Sequence, residues 1–195
     1  MMYVSDVLQA FNQYRGDSIV IPGRAGIFWV EVSTRVNLDL PLGDPAMGGH
    51  AAFALGVALA LPKRKVVLFD SEGEVQMGMN ILLTVAEQRP ANFFHIMLDN
   101  ECYATTGGQP VPNAKNVAYD VIARGAGYPR AFAFTELDEF AAALPGILGE
   151  PGPVFVALKV HPNIQNQPMG KRPRWMKRTR EQAIQDMQRE LGISR

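Results

Sequence analysis

Two short acidic turns hold the residues best suited to chemistry. The first, Asp70-Ser71-Glu72-Gly73-Glu74, follows the apolar run Lys65 to Phe69. The second, Asp99-Asn100-Glu101-Cys102, follows Asn92 to Leu98 and leads into Thr105-Thr106-Gly107-Gly108-Gln109. Glu72 and Asn100 stand 28 positions apart. Carboxylates, an Asn amide oxygen and backbone carbonyls at two strand ends are hard oxygen donors, suited to Mg²⁺ rather than to zinc. Gly73, at the start of a helix, offers backbone N–H groups to an anion. A cation and amide donors together suggest a bound diphosphate. Either turn alone reads better as helix caps and turn formers; the pairing of the two favours the cation.

Other candidates carry less. His50, just past Gly48-Gly49, is placed either to touch a substrate or simply to start a helix. His95 lies within an apolar strand and reads as a core histidine. His161 has no partner in the sequence pattern. Cys102 has no basic neighbour, and Asp99 and Glu101 would raise its pKa, which argues against a nucleophile. No Gly-x-Ser-x-Gly elbow or P-loop lysine is present.

The elements that must position these turns alternate along the chain. Helical spacing marks Val4 to Tyr14, with Ser5 as its cap, then Gly26 to Val36, Val75 to Ala86, Val117 to Arg124 and Thr135 to Leu144, the last with a Thr135–Asp138 capping box. Gly48 to Leu61 is small and apolar throughout, which suits a helix buried on all sides, and Pro62 stops it. Strands are expected at Ser18 to Ile21, Lys65 to Phe69, Asn92 to Leu98 and Val154 to Val160. This alternation calls for an α/β fold, a mainly parallel sheet with helices on both faces. Beyond His161 the pattern breaks into a polar, Pro-containing segment and a terminal helix, Thr179 to Leu191, with Ile184, Met187 and Leu191 on one side. The division expected is a body, 1–161, and a C-terminal extension, 162–195.

The chain has 195 residues, 47% hydrophobic and 19% charged, enough for one domain with a sizeable core. One cysteine excludes a disulfide framework. The longest apolar stretch, Ala51 to Leu61, is too short to span a bilayer, and the N-terminus lacks the pattern of a secretion signal, so a cytoplasmic protein with no membrane partner is expected. Zero net charge conceals an asymmetry: Lys171 to Arg180 holds six of the 19 basic residues and no acid, leaving 13 positive against 19 negative charges elsewhere. An acidic body would repel phosphate, so the basic segment reads as a solvated arm, or one docking on an acidic partner or neighbouring subunit, rather than as a nucleic-acid site.

The paired turns resemble the diphosphate-binding domain of thiamine-diphosphate enzymes, whose motif is Gly-Asp-Gly followed after an interval by Asn, often Asn-Asn. Here it stands as Ser71-Glu72-Gly73 and Asp99-Asn100. Upstream, Ala46-Met47-Gly48 looks like the segment that holds the aminopyrimidine. Leu98-Asp99-Asn100 with Thr106-Gly107-Gly108-Gln109-Pro110 is similar to the signature of the sulfopyruvate and phosphonopyruvate decarboxylase type. The resemblance covers about residues 1–161. It implies thiamine diphosphate and Mg²⁺ as cofactors, with Glu72, the Asn100 side chain and the Cys102 carbonyl as metal ligands. It also implies phosphate contacts from Ser71 and from the N–H groups of Gly73 and Glu74. Pro45, Ala46 and Gly48 would lie along the aminopyrimidine, above Met47 as the apolar wedge that bends the cofactor. Thr105, Thr106, Gln109 and His50 would lie near the substrate. Three positions depart from the motif: Glu72 for Asp, Ser71 for Gly, and Glu74 where small residues are usual. The activity implied is non-oxidative decarboxylation of a 2-oxo acid. In such enzymes the glutamate that activates the aminopyrimidine lies in another domain, for which 195 residues leave no room, so a hetero-oligomer with a pyrimidine-binding subunit is expected. Carboligation, oxidation with an external acceptor, and a non-catalytic subunit that keeps the fold are the alternatives.

Overall fold

The apolar runs become strands and the periodic ones helices in the computed structural model, which describes residues 1–42, 46–168, 171 and 176–193. The strands are β1 (Ile19–Ile21), β2 (Val66–Ser71), β3 (Phe93–Asp99), β4 (Cys102–Tyr103), β5 (Gln109–Pro110), β6 (Arg130–Phe134) and β7 (Val154–Lys159). The helices are α1 (Val4–Tyr14), α2 (Gly26–Val32), α3 (His50–Ala60), α4 (Glu72–Met77), α5 (Ile81–Gln88), α6 (Tyr119–Ala126), α7 (Leu137–Gly149) and α8 (Arg180–Glu190).

Five strands form one parallel sheet in the order β1-β2-β3-β7-β6, and β4 and β5 form a separate antiparallel hairpin. Alternation along each strand divides the core in two. Val66, Leu68, Phe93, Met97 and Phe155 face α3, α5 and α6, whereas Val67, Phe69, Phe94, Ile96 and Val156 face α1, α2 and α7. Strands buried on both faces need the continuous apolar runs that the sequence has. Phe11, Trp29 and Phe69 pack with centroids 5.1–5.8 Å apart under the end of β2. Rings this close add about 0.5–1.5 kcal/mol per pair beyond the area they bury.

Several elements differ from expectation, each for a local reason. Met2 bridges to Val160, so the chain stays extended through Tyr3, which takes the cap position of α1; Ser5 falls inside the first turn. The helix expected at Gly26 to Val36 stops at Val32, where Ser33 turns to donate its hydroxyl to Asp39; a 3-10 turn, Val36–Leu38, follows. The helix after β2 is split in two at Gly78, which packs so closely on Gly48 that a Cβ there would meet the Gly48 carbonyl oxygen at 2.5 Å. Helix α7 has no side-chain cap, since β6 runs to Phe134 and Glu136 takes the cap position instead of Thr135. Strand β6 and the hairpin were not expected. Helix α3 buries only one side, leaving Phe53 and Leu59 exposed.

Within the extension, α8 and the residues just before it are docked on the body. Thr179 and Gln182 form a capping box for α8, whose Ala183 and Met187 are buried while Ile184 is exposed. Arg178 pairs with Asp186 at 2.7 Å and donates to the Val36 carbonyl, and Arg180 donates to the Leu42 carbonyl. Arg172 and Arg174, also counted in the basic segment, lie outside the described residues.

Arg15 and Asp39 form an ion pair at 3.1 Å with both side chains buried, and Arg15 also lies 5.2 Å over the Trp29 ring. The pair fixes the chain where Asp39 bridges to Val20, on its way to the Ala46–Gly49 turn. Removing one partner strands the other in the interior. Asp39→Ala is therefore expected to cost about 3–5 kcal/mol by urea unfolding, with Arg15→Ala similar and the double variant well short of their sum. A loss under about 1 kcal/mol would mark the pair as solvated.

Candidate functional site

Strand register brings the two acidic turns together. Ser71 pairs with Leu98 on β3, and Asp99 with Lys159 on β7, so all these strands end at one edge. An open cleft lies there, lined by Ser71, Gly73, Glu74, Asn100, Cys102 and Thr105 together with Arg24, Tyr103, His161, Asn163 and Gln165. At Gly73 a Cβ would sit 3.0 Å from the Tyr103 ring, so any larger residue needs that ring to shift.

Glu72 is wholly buried. Its Oε2 accepts the Asn100 N–H at 3.3 Å, while Oε1 has no hydrogen-bond partner among the described residues. The Asn100 side-chain oxygen accepts the Cys102 N–H at 3.0 Å, which folds Glu101 into a left-handed conformation, φ 65°. Burial pushes the Glu72 carboxyl up to about 7; the backbone N–H groups of residues 72, 100 and 102 oppose this and the Asp99 charge adds to it. A buried carboxylate oxygen with nothing to accept, beside an amide oxygen and backbone carbonyls, has the donor chemistry of a hard divalent cation. These residues fit Mg²⁺.

The other acids are turned aside. Asp70 points into the core, its Oδ2 3.0 Å from His95 Nε2 and its Oδ1 3.6 Å from His50 Nδ1. Burial raises its pKa, but these histidines outweigh that and hold it down to about 2. Lys159 takes both Asp99, at 2.9 Å, and Glu101, at 2.8 Å. Glu74 accepts the Gly48 N–H and lies 3.6 Å from His50 Nδ1 and 3.9 Å from Arg24 Nε. His50, Asp70 and Glu74 bring one ligand atom each within 4.8 Å of one another. With Gly48 and Arg24 already on Glu74, and His95 on Asp70, this trio reads as a buried polar network rather than a metal site.

The remaining expected residues fall in three places. Ala46, Met47 and Gly48 form a turn closed by the Gly49 N–H on the Ala46 carbonyl at 2.9 Å; Met47 (φ 50°) and Gly48 (φ 87°) both have positive φ. A bulky side chain in that region costs about 1–2 kcal/mol, and Met47 is 65% exposed. Pro45 lies outside the described residues. His50 is buried behind Glu74 and does not line the cleft. Thr106 and Gln109 do not line it either: the Thr106 hydroxyl, bonded to the Tyr103 carbonyl at 3.2 Å and Gln109 Oε1 at 3.1 Å, closes the β4–β5 hairpin. Thr105 reaches the cleft, where its hydroxyl accepts from Arg24 at 2.9 Å. The Glu74 N–H, expected on a phosphate, donates to Ser71 Oγ at 3.3 Å. Sequence reasoning missed Tyr103, Asn163 and Gln165 as cleft residues; Gln165 is held there by its N–H on the Ala104 carbonyl at 2.8 Å. No motif marks the last two, which enter from the segment after β7.

An open parallel sheet with helices on both faces and a polar cleft outside its strand ends is the architecture of α/β proteins that bind phosphorylated cofactors. The profile of the family "Thiamine pyrophosphate enzyme, C-terminal TPP binding domain" matches residues 37–158, and the chain belongs to that family. It is 38% identical to phosphonopyruvate decarboxylase of Streptomyces hygroscopicus over 117 residues, 60% of this chain and 29% of that protein. It is 34% identical to sulfopyruvate decarboxylase subunit beta of Methanothermobacter thermautotrophicus over 124 residues, 64% of this chain and 63% of that one. The match thus spans under a third of the first relative's length. In fold, the chain is similar to a thiamine diphosphate-dependent 4-hydroxybenzoylformate decarboxylase of Rhodococcus jostii, with TM-score 0.62 and 17% identity over 85% of this chain and 33% of that one.

The buried Glu72 carries a pH prediction. Its folded value of about 7 lies above the ordinary 4.5, so the metal-free fold binds the proton more tightly than the unfolded chain and loses stability as pH rises between those values. That loss is on the order of 3 kcal/mol. With divalent ions chelated, Glu72→Gln should match the wild type at pH 4.5 and exceed it by about 3 kcal/mol at pH 8 in urea unfolding. An equal difference at both pH values would show that the charge is buried without cost.

Proposed function

We propose that the chain is the diphosphate-binding subunit of a thiamine-diphosphate- and Mg²⁺-dependent lyase that decarboxylates a 2-oxo acid carrying a sulfo or phosphono group. The observation that carries this reading is the unpartnered, buried oxygen of Glu72 beside Asn100, in a chain of this cofactor's family. Glu72, the Asn100 side chain and the Cys102 carbonyl would hold the cation, and the cation the diphosphate. The cofactor, when bound, supplies the electron sink for loss of CO₂. The protein's own residues orient and exclude water: Gly73 and Ser71 line the phosphate end, and Met47, held out at the strained turn, forms the wedge. Arg24 and Thr105 bring a cation and a hydroxyl to the cleft, suited to an anionic substrate group.

A pyrimidine-binding partner subunit would supply the catalytic glutamate, making a hetero-oligomer. Support comes from the name "subunit beta" of the sulfopyruvate decarboxylase relative, and from apolar side chains left exposed: Met47, Phe53, Leu59, Met77 and Leu83. Among the described residues no helix is long and apolar enough to cross a membrane, and the reading places the enzyme in the cytoplasm.

The test is reconstitution. With thiamine diphosphate and Mg²⁺, the chain alone should release no CO₂ from 3-sulfo- or 3-phosphono-2-oxopropanoate, and the chain with its companion subunit should release it. Glu72→Ala should lower the activity of the complex by more than the roughly 10–100-fold that loss of an outer-shell partner costs. Decarboxylation by the chain alone would refute the divided site. A complex that gives no heat with thiamine diphosphate in calorimetry would leave a non-catalytic subunit, and acyloin products in place of aldehyde would make it a carboligase.

A further inference from the structure

Glu74 lines the cleft, yet its carboxylate is buried and committed elsewhere. Its Oε2 accepts the Gly48 N–H and faces His50 Nδ1 at 3.6 Å; its Oε1 faces Arg24 Nε at 3.9 Å. Gly48 is the second of two positive-φ residues in the turn that presents Met47, and its backbone touches Gly78 so closely that a Cβ on Gly48 would lie 2.9 Å from the Gly78 nitrogen. The turn is thus held at two points, both on the α4–α5 segment that begins at the cation site. A strained turn that presents a bulky residue persists only when its surroundings over-determine it.

We propose that Glu74 is a positioning residue: its carboxylate clasps the Gly48 N–H and so ties the Met47 turn to the strand end that carries the cation ligands. Arg24 offsets its charge and His50 Nδ1 lies beside it, so the carboxylate faces these side chains and an amide. The consequence for the cofactor rests on the reading of the cleft given above; the clasp itself does not. Through it, the distance between the anchor at Glu72 and the wedge at Met47 is fixed before any ligand enters.

Two measurements separate the parts. Hydrogen exchange on the cofactor-free chain reads the clasp directly: Glu74→Ala should speed exchange of the Gly48 amide by about tenfold or more, the cost of losing one charge-assisted hydrogen bond, and Glu74→Gln, which keeps an acceptor, should restore most of the protection. Unchanged exchange in Glu74→Ala overturns the proposal. In the reconstituted complex, titration with thiamine diphosphate and Mg²⁺ should show the affinity of Glu74→Ala reduced about tenfold or more, and largely recovered in Glu74→Gln. Tighter binding by both variants would mean that Glu74 only repels the diphosphate, and would also overturn it. If the exchange results hold but the wild-type complex binds no thiamine diphosphate, the clasp stands and the cofactor reading falls.

Discussion

A carboxylate oxygen with nothing to accept is the atom on which this site turns. Burying a charge without a partner is among the most expensive arrangements a fold can make, and proteins normally avoid it by pairing, by hydrogen bonding or by taking up a proton. Glu72 has one oxygen on the Asn100 N–H and the other on nothing among the described residues. The sheet forces this: β2 and β3 are parallel neighbours in fixed register, so their final residues lie side by side and both turns open into one cleft. A divalent cation seated there would offset the cost that the register creates.

The surrounding acids are disposed of so that this one stays open. Asp70 is drawn into the core by His50 and His95, and Asp99 and Glu101 converge on Lys159, which rises from the adjoining strand β7. Burial lowers the Lys159 pKa, but the two carboxylates outweigh it, so the side chain stays charged. Part of the negative charge that would repel a diphosphate is thereby offset, one lysine against two carboxylates, within one or two residues of the candidate ligands.

Much of this was legible in the chain. Apolar runs such as Lys65 to Phe69 read as buried strands because both faces of a parallel sheet are covered, and polar residues at their ends mark where the cleft must lie. What stayed hidden depends on contacts between distant segments. The break in the helix after β2 is set by Gly48 pressing on Gly78, and no local signal at Gly78 shows it. The alternation Arg130-Ala131-Phe132-Ala133-Phe134 was a strand signal, but this strand lies at the sheet edge and is short. Apolarity of α3 predicted burial on all sides, whereas the fold covers one face only. Asn163 and Gln165 reach the cleft through backbone pairing of a polar segment, which periodicity cannot detect.

The departures from the family motif make sense together. Ser71 stands where the motif has Gly, but its backbone is extended (φ −125°, ψ 160°), so no glycine is needed, and its hydroxyl caps α4 by accepting the Glu74 N–H. Glu72 is a methylene longer than Asp, and the added reach is taken up across the gap to β3, where the Asn100 N–H holds it. Glu74 is larger than the usual residue, and its length carries the carboxylate to Gly48 and away from the cap. Ser71 caps the start of the helix, Glu72 meets the neighbouring strand through one oxygen and leaves the other open, and Glu74 meets the Met47 turn, so each of the three departures has its own contact at this strand end.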